Sequence, residues 1–410
     1  MGSTQNGLKA GLLTALALVA GTQPAQAQRQ ELIDEIDRRL QEVRDELIAV
    51  RRDLHRHPEV SGQEERTAGV VAARLRALGL EVRTGVGGHG VVGLLRGGRA
   101  GPAVAYRADI DAVQSSAPDP VPFASETPGV RHICGHDIHT TVALGIAEAL
   151  TAVRAGLPGT VVFIFQPAEE YMQGASAMIR DGVLEDPAPE AIFAFHTAPL
   201  EVGQIGSVEG MALPGYDRVT VTVRGAGDLE HAAGFYAQAI SAASTGRAVP
   251  PEDFVGALVR PPRAEGTGWV VTGMVRAGSV ETRARAKQTI QRNVAEIEQD
   301  QISYELSYED LVFPDMFNDP ELVRSTLATI RSAVGAEALI EVNQVTPYFS
   351  EDFAFFQQHI PGAMYWLGVS NSALGTVGMP HTPDYVADEG SIVVGAKAMA
   401  AVLLDYLATH

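Results

Sequence analysis

The sequence predicts an α/β fold in which a mixed, mostly parallel sheet is flanked by helices and carries a small inserted α+β domain. Compact apolar runs alternate with helix-like stretches in the first half of the chain, as expected for buried parallel strands. After Met211 the strands alternate apolar and polar residues instead, and the first pattern resumes near Asn318. The length of 410 residues also suits two domains better than one core.

The main sheet and its helices are predicted from the first part of the chain. Apolar residues recur at helical spacing from Leu32 to Leu54, and this helix should end before Pro58 because the residue preceding a proline avoids helical angles. A second helix covers Thr67–Leu78 and ends at Gly79. Buried strands follow at Val91–Leu95, Ala103–Tyr106, Thr160–Phe165 and Ala191–Phe195, with helices at Thr140–Arg154 and Ala175–Asp181.

The inserted domain begins with Tyr216–Arg224, where apolar and polar residues alternate as in a strand with one solvated face. Two strand–helix–strand units within about a hundred residues indicate a small α+β domain. We therefore expect the main domain at residues 28–211 and 313–410 and the insertion at 212–312. The other elements are a helix at His231–Ser244, a Pro-rich stretch at Val249–Arg263, a strand at Trp269–Arg276, a helix at Glu281–Ile297, a strand at Ile302–Tyr308 and a last helix at Ser391–Leu407.

The N-terminus, residues 1–27, has the pattern of a secretory signal peptide. Lys9 precedes the short apolar core Gly11–Gly21, and Ala25-Gln26-Ala27 is a small-x-small cleavage site. We therefore expect the protein to be exported, to the periplasm or out of the cell, after cleavage near Ala27. An apolar N-terminal helix is the alternative interpretation.

Charge and cysteine content exclude several function classes. The formal net charge of −19 argues against nucleic acid as a partner, because phosphate binding needs clustered basic residues. The body of the chain shows no run of about 18 apolar residues, so no membrane span is expected. The single cysteine, Cys134, cannot form an internal disulfide and is an inert thiol, a nucleophile or a metal ligand.

The segment His132–His139 is the densest group of potential metal ligands. It places five such side chains within eight residues, and thiolate with imidazole suits zinc or a similar divalent metal. Gly135 allows a tight backbone turn, so that the residues on either side can reach one centre. The five side chains are those of His132, Cys134, His136, Asp137 and His139.

Further polar residues follow the predicted strands. Glu169 and Glu170 end the segment Phe165–Glu170, and such a pair can bind metal with one carboxylate and take a proton from water with the other; a solvated helix start is the alternative. The segment Arg107–Asp111 places an arginine and two acids after a buried strand, which is costly unless these groups are paired or bind something; an internal Arg–Asp pair that caps the strand is the alternative. The two single histidines, His196 and His381, are each more often structural than ligands when taken alone.

Together these segments resemble the dinuclear-metal aminoacylase and carboxypeptidase family, in particular the amidohydrolase branch that includes hippurate hydrolase and the auxin–amino-acid conjugate hydrolases. Seven motifs occur in the family's order over nearly the whole mature chain, which is specific where one motif is not. They are Leu54–Ser61, Tyr106–Val113, Gly129–His139, Phe165–Glu170, Ala194–His196, Ser350–Phe353 and Met379–Pro383.

The resemblance implies a catalytic main domain, a lid in the insertion that often dimerises, and hydrolysis of an N-acyl amino acid or related amide. It implies two divalent metal ions, with zinc expected first and manganese, cobalt or nickel left open, and Glu169 as general base and proton shuttle. Nearby acids, and His139 equally, could orient the ligands by hydrogen bonds. The implied ligands are Cys134, His136, Glu170, His196 and His381, and the candidate orienting acids are Asp109, Asp111 and Asp137.

The sequence departs from the family pattern in the lid. The family's Gly-Gly-His-Ala-Ala-x-Pro reads Gly227–Gly234 here, the Asn-x-Ile-Pro element is missing, and Val113–Ser116 replaces Leu-Pro-Ile-x-Glu. His231 would correspond to the lid histidine that contacts the substrate carbonyl across a homodimer, and Arg276 to the lid arginine that meets a substrate carboxylate. The alternative interpretation is that His231 and Arg276 are surface residues without a role in substrate binding.

Several functional hypotheses remain open at this point. The first is an amidohydrolase acting on a small N-acyl amino acid, and the second is a dipeptidase or carboxypeptidase with the same centre and a peptide substrate. A non-catalytic binding protein on this scaffold is a third, although it would have no use for Glu169. A structural zinc protein fits poorly, because structural sites usually close with four ligands and have no free carboxylate beside them.

Overall fold

The computed structural model of the chain describes residues 8–245, 249–298, 300–342, 345–346 and 348–410, with side chains described from Ala27 onward. Residues 1–7 of the predicted signal peptide lie outside the described residues. The first helix is described from Leu8. Export and cleavage near Ala27 stay predictions.

Helices and strands alternate through most of the chain. The helices are α1 Leu8–Arg56, α2 Glu65–Ala77, α3 His136–Ala152, α4 Gly174–Arg180, α5 Leu229–Ser241, α6 Val280–Ala295, α7 Pro320–Val334, α8 Phe353–Gln357 and α9 Gly390–Thr409. The strands are β1 Glu81–Val86, β2 Gly90–Arg96, β3 Arg99–Asp109, β4 Val113–Gln114, β5 Val130–Arg131, β6 Pro158–Gln166, β7 Ile192–Glu201, β8 Ile205–Ser207, β9 Gly210–Leu213, β10 Tyr216–Gly225, β11 Val255–Val259, β12 Arg263–Glu265, β13 Gly268–Ala277, β14 Ile302–Phe313, β15 Met316–Asn318, β16 Leu339–Glu341 and β17 Gly362–Ser370.

An eight-stranded sheet forms the centre of the larger unit, in the order β1-β2-β6-β3-β7-β17-β8-β16. The pairs β6–β3, β3–β7, β7–β17 and β8–β16 are parallel, and the pairs β1–β2, β2–β6 and β17–β8 are antiparallel. The predicted mixed, mostly parallel sheet is therefore confirmed. Because β3, β6, β7 and β17 run in one direction, their carboxyl ends meet at one edge, where ligands bind in open α/β sheets.

Helices cover both faces of this sheet. On one face α1, α3, α7 and α9 pack together over apolar side chains that include Val104, Phe163 and Phe193. On the other face α4 and α8 lie over a second apolar cluster that includes Ile164 and Ile192. Successive residues of β6 and β7 thus enter opposite clusters, as the continuous apolar runs of these strands predict.

Helix α9 is an apolar helix of membrane-spanning length, which the sequence analysis did not expect. Within the described part of the chain it alone is long and apolar enough for that test. Most of it is buried in the molecule, where Ala396, Met399 and Leu403 belong to the larger apolar core. Its composition is therefore that of a central core helix.

A second sheet with its own core is built from Tyr216–Phe313. Strands β11-β13-β10-β14 form it in that order, β12 pairs with β13, and α5 and α6 pack on the sheet. Val221, Val271 and Ile290 are fully buried in its core. This is the predicted small α+β unit, although β11 forms inside the stretch predicted only as Pro-rich. The domain boundaries at residues 212 and 312 stay a prediction.

Candidate metal centre

The loop of Cys134 begins α3 at the edge where the parallel strands end. Gly135 has a φ of +93°, which residues with a side chain rarely adopt. A Cβ atom there would lie 2.2 Å from Tyr385 Oη and 2.6 Å from Thr197 Oγ1. Glycine is therefore required between Cys134 and His136, and its turn brings their donor atoms within 4.8 Å of each other.

The two adjacent glutamates follow β6 in a loop held by hydrogen bonds to its backbone. Ala168 has a φ of +51°, and its N–H donates to Glu64 Oε1 at 2.8 Å. The N–H of Glu170 donates to Asp111 Oδ2 at 3.0 Å. Buried carboxylates from two other segments thus fix the position of Glu169 and its neighbour.

The two single histidines reach the same edge from different elements. His196 lies inside β7, on the sheet face of Ile192, and not at the end of the strand as predicted, because β7 continues beside β17 to Glu201. His381 lies between β17 and α9 with a φ of +64°. Its N–H donates to Ile133 O at 2.8 Å, which attaches its loop to the segment before α3.

The five predicted ligands converge in space. Cys134 Sγ lies 3.5 Å from His196 Nε2, and Glu170 Oε1 lies 3.7 Å from His136 Nε2 and 3.4 Å from His381 Nε2. Donor atoms of Cys134, His136 and His196 lie within 4.8 Å of one another, as do those of Cys134, Glu170 and His381. The two triplets share the thiol, an arrangement that suits two neighbouring divalent ions. Their roles as ligands stay a prediction.

The ring nitrogens of the central histidines favour metal binding. His136 Nδ1 lies 3.0 Å from Asp111 O and 3.1 Å from Asp111 Oδ1, and His196 Nδ1 donates to Thr197 O at 2.8 Å. We therefore assign the ring protons to Nδ1, which leaves each Nε2 lone pair for a metal. His136 Nε2 and Glu170 Oε1 are buried without a hydrogen-bond partner in the described part of the chain. Such atoms are costly unless something binds them, so the donor set fits divalent metals.

Asp109 and His139 support the centre from within the protein. Asp109 Oδ1 lies 2.6 Å from His139 Nδ1 and 3.7 Å from His136 Nδ1. The N–H of Thr197 donates to His139 Nε2 at 2.8 Å, so both ring nitrogens of His139 are occupied. Burial by itself raises the pKa of Asp109, but the two histidines and Arg107 lower it well below its usual range. Asp109 is therefore an ionised acceptor that holds the ring of His139 by a hydrogen bond.

Asp137 contacts side chains of α1. Its carboxylate lies 2.8 Å from Arg51 Nε and 2.8 Å from His55 Nδ1, both on α1. These contacts tie the first turn of α3 to α1. Asp111 contacts His136 and Asp109 contacts His139, whereas the contacts of Asp137 are with α1, because the sequence cannot tell on which side of the turn this side chain lies. The role of these acids in orienting ligands stays a prediction.

Glu169 has the environment of a group that carries a proton. It is 3% exposed, and its Oε2 lies 3.9 Å from His136 Nε2. Burial, followed by the charges of Glu351 and Glu170, raises the pKa of Glu169 well above its usual range. A carboxylate with raised proton affinity beside a metal centre is suited to general base catalysis, although the role of Glu169 stays a prediction.

Arg107 joins these acids in one buried network. Its Nη1 donates to Asp109 Oδ2 at 2.7 Å, as the alternative interpretation of an internal Arg–Asp pair predicts. Its Nη2 donates to Glu351 Oε1 at 2.8 Å and Asp352 Oδ1 at 3.0 Å, and its Nε to Gln166 Oε1 at 2.8 Å. The guanidinium therefore links the ends of β3 and β6 to the start of α8.

A cavity of about 650 Å³ opens over the predicted ligands and extends to the second sheet. Arg276 of β13 lines it, donates from Nη2 to Ser350 Oγ at 2.8 Å, and places its guanidinium carbon 5.9 Å from the ring centre of Tyr216. Burial lowers the pKa of Arg276, and no carboxylate in the described residues pairs with it. The apolar part of the wall includes Leu200, Leu213, Tyr216, Tyr348, Phe349 and Trp366.

His231 lies apart from this cavity in its own chain. It is exposed on α5, where its N–H donates to Asp228 Oδ1 at 3.0 Å and its ring packs against Phe235 at 4.8 Å between ring centres. The described residues that line the cavity do not include it. The predicted contact of His231 with a substrate across a homodimer stays a prediction.

Some residues of the site have no predicted role. Glu351 lines the cavity. Its motif, Ser350–Phe353, indicates a functional segment, but the motif alone does not predict which groups the carboxylate contacts. Trp366 faces His196 only because β17 pairs with β7 in that register, and no local pattern indicates this.

Comparison with known proteins places the chain in a family. The profile of peptidase family M20/M25/M40 matches residues 105–405. The chain is 33% identical over 391 residues to the N-acetylcysteine deacetylase of Bacillus subtilis, covering 88% of this chain and 97% of that protein. It is 33% identical over 389 residues to the IAA-amino acid hydrolase ILR1-like 4 of Arabidopsis thaliana, covering 88% and 86%.

A solved structure extends this likeness to the fold. The crystal structure of the Bacillus subtilis YXEP protein, a dinuclear metal-binding peptidase from the M20 family, matches with a TM-score of 0.74 at 29% identity. The match covers 90% of this chain and 100% of that chain. The resemblance seen in the sequence motifs is thus confirmed, and the chain is a hydrolase that belongs to peptidase family M20/M25/M40.

Proposed function

We propose that the chain hydrolyses the amide bond of N-acyl amino acids. The observation that carries this proposal is Arg276, which lines the same cavity as Cys134 and Glu169 and has no carboxylate partner in the described part of the chain. A half-buried guanidinium without a counter-charge is suited to bind the carboxylate of an amino-acid moiety. The scissile amide of such a substrate would then lie over the metal centre.

The residues of the centre divide the chemistry between them. Two bound divalent ions, with zinc expected first and manganese, cobalt or nickel as alternatives, would polarise the scissile carbonyl and acidify a water molecule. Glu169 accepts a proton from the attacking water and delivers it to the amine nitrogen. Asp111 keeps His136 oriented through its Nδ1. The ions would be held by Cys134, His136, Glu170, His196 and His381.

A dipeptidase or carboxypeptidase activity is the second candidate. The guanidinium of Arg276, which has no carboxylate partner in the described residues, favours it equally, because the C-terminal carboxylate of a peptide offers the same anion. The two activities differ in what lies on the other side of the scissile bond, where a peptide carries a free amino group and an N-acyl amino acid does not. A binding protein without activity would leave the buried base Glu169 without a use.

We also infer that the mature chain is exported and dimerises through the insertion, residues 212–312. The signal-like residues 1–27 support export. For the dimer, β14 is an edge strand of the second sheet and His231 is exposed on α5, away from the cavity of its own chain. N-terminal sequencing of the secreted protein and its mass in solution test these two inferences.

Substrate hydrolysis tests the proposed function. Purified protein is loaded with zinc or manganese and incubated with N-acetyl, N-benzoyl and long-chain N-acyl amino acids and with dipeptides, and the free amino acid is quantified. Release from the N-acyl compounds supports the proposal, whereas release from dipeptides alone supports the second candidate. If the metal-loaded protein hydrolyses no compound of the panel, both candidate activities are contradicted.

A further inference from the structure

One buried carboxylate oxygen in the cavity is left without a partner by the contacts described so far. Glu351 is 2% exposed, and its Oε1 accepts hydrogen bonds from Arg107 Nη2 at 2.8 Å and from the N–H of Phe353 at 2.9 Å. Its Oε2 is buried and has no hydrogen-bond partner in the described part of the chain. An unpaired buried acceptor is costly, so a ligand that donates a hydrogen bond would stabilise it.

This oxygen lies at the catalytic end of the cavity. Glu351 lines the cavity together with Glu169, and carboxylate oxygens of Glu169, Glu351 and Asp352 lie within 4.8 Å of one another. A third metal ion fits this trio poorly, because Asp352 Oδ1 already accepts from Gln166 Nε2 at 2.7 Å and its Oδ2 from the N–H of Ala175 at 3.0 Å. A single N–H donor complements one free oxygen better than a metal ion does, because a metal ion needs several free donor atoms at once.

The reaction supplies such a donor beside Glu169. In hydrolysis, the oxygen of water bonds to the carbonyl carbon, the C–N bond breaks, and Glu169 carries one proton of the water to the nitrogen. The nitrogen therefore bears one N–H in the substrate and gains a second on leaving. The group that gives the nitrogen its proton must lie next to it, which puts the nitrogen near Glu351 as well.

We propose that Glu351 is a further catalytic residue, whose Oε2 accepts a hydrogen bond from the scissile N–H and then from the departing amine. This inference rests on the proposed amide hydrolysis. Arg107 Nη2 holds the other oxygen, Oε1, in place. The contact would grow stronger as the nitrogen becomes an ammonium group, because hydrogen bonds between charged partners are the strong ones.

Paired amide and ester substrates test the proposal. The ester carries oxygen in place of the scissile N–H and is otherwise identical, so it cannot donate to Glu351. We expect Glu351→Gln to lower kcat/KM about 30-fold for the amide, the size of one hydrogen bond to a charged group, and less than about threefold for the ester. Asp352→Asn is the matched control, since it alters the same Arg107 network without facing the nitrogen, and it should affect both substrates equally.

Equal losses on amide and ester in Glu351→Gln, or no loss on the amide, would overturn the proposal.

Binding of the product amino acid provides a second measurement, which does not depend on hydrolysis of the ester. Titration calorimetry should show that the wild-type protein prefers the product amino acid over the same acid without its amino group, and that Glu351→Gln loses most of this preference. An unchanged preference, or a lower metal content in the variant, would also overturn it. Absence of amide hydrolysis by the wild-type protein would instead count against the proposed function.

Discussion

The thiol of Cys134 lies 3.5 Å from Nε2 of His196, although 62 residues separate them in the chain. Cys134 lies in the loop that precedes α3, and His196 lies within β7. The contact exists because Gly135 turns the loop toward the carboxyl ends of the parallel strands. The position of this buried thiol beside His196 supports the prediction that Cys134 is a metal ligand.

Replacement of this thiol tests its role as a ligand. We expect Cys134→Ser to lower the metal content after dialysis, because a neutral hydroxyl is a weaker donor than a thiolate. Cys134→Asp keeps an anionic donor and should retain more metal than the serine variant. Elemental analysis provides the readout, and an unchanged stoichiometry in Cys134→Ser would show that the cysteine is not a ligand.

Loss of the proposed base should separate metal binding from turnover. We expect Glu169→Gln to reduce kcat by about 100- to 10,000-fold while metal content stays intact, because the amide keeps the shape of the side chain but cannot accept the proton. Glu185→Gln changes an exposed glutamate and serves as the control with wild-type activity. Near-full activity of Glu169→Gln would remove the base from the mechanism.

Arg276 should act on substrate recognition through its charge. We expect Arg276→Met to raise KM for N-acyl amino acids about 10- to 100-fold, because the substrate carboxylate loses a charged partner in a half-buried site. For the corresponding N-acyl amino-acid amides, in which a carboxamide replaces the substrate carboxylate, KM should change little. Arg263→Met alters an exposed arginine of the same sheet and is the control. Equal losses with and without the carboxylate would place Arg276 in a structural role.

The link between α1 and α3 should make stability depend on pH. Burial by itself lowers the pKa of His55, but hydrogen bonds to Asp119 and Asp137 raise it above the usual value of 6.5. Protonated His55 therefore contributes stability that is fully present below about pH 6.5 and is lost as the pH rises through the folded pKa. We expect the free energy of unfolding in urea to fall more between about pH 6 and pH 9 in the wild-type protein than in His55→Gln. Parallel curves would contradict this.

The sheet and the clustered ligands were predictable because their signals are local. Val91–Leu95 and Thr160–Phe165 are continuous apolar runs, and Cys134 and His136 are neighbours in the chain. Strand β1 was not predicted, because it is an edge strand with mostly exposed residues and no apolar pattern.

The contacts that give each polar residue its role depend instead on distant segments. Arg107 meets Glu351 across 244 residues, and only the folded sheet brings them together. The side of the α3 turn on which Asp137 lies is likewise set by Arg51 and His55 of α1. Sequence motifs therefore indicate which residues matter, and long-range packing decides what each of them contacts.

The most direct test of the central claim is the release of free amino acid from the best N-acyl amino acid of the panel, before and after the metal is removed. The account predicts that a chelator abolishes release, that added zinc or manganese restores it, and that Glu169→Gln stays inactive in the presence of either metal. Release that continues at the same rate in metal-free protein would contradict a metal-dependent hydrolase at this site.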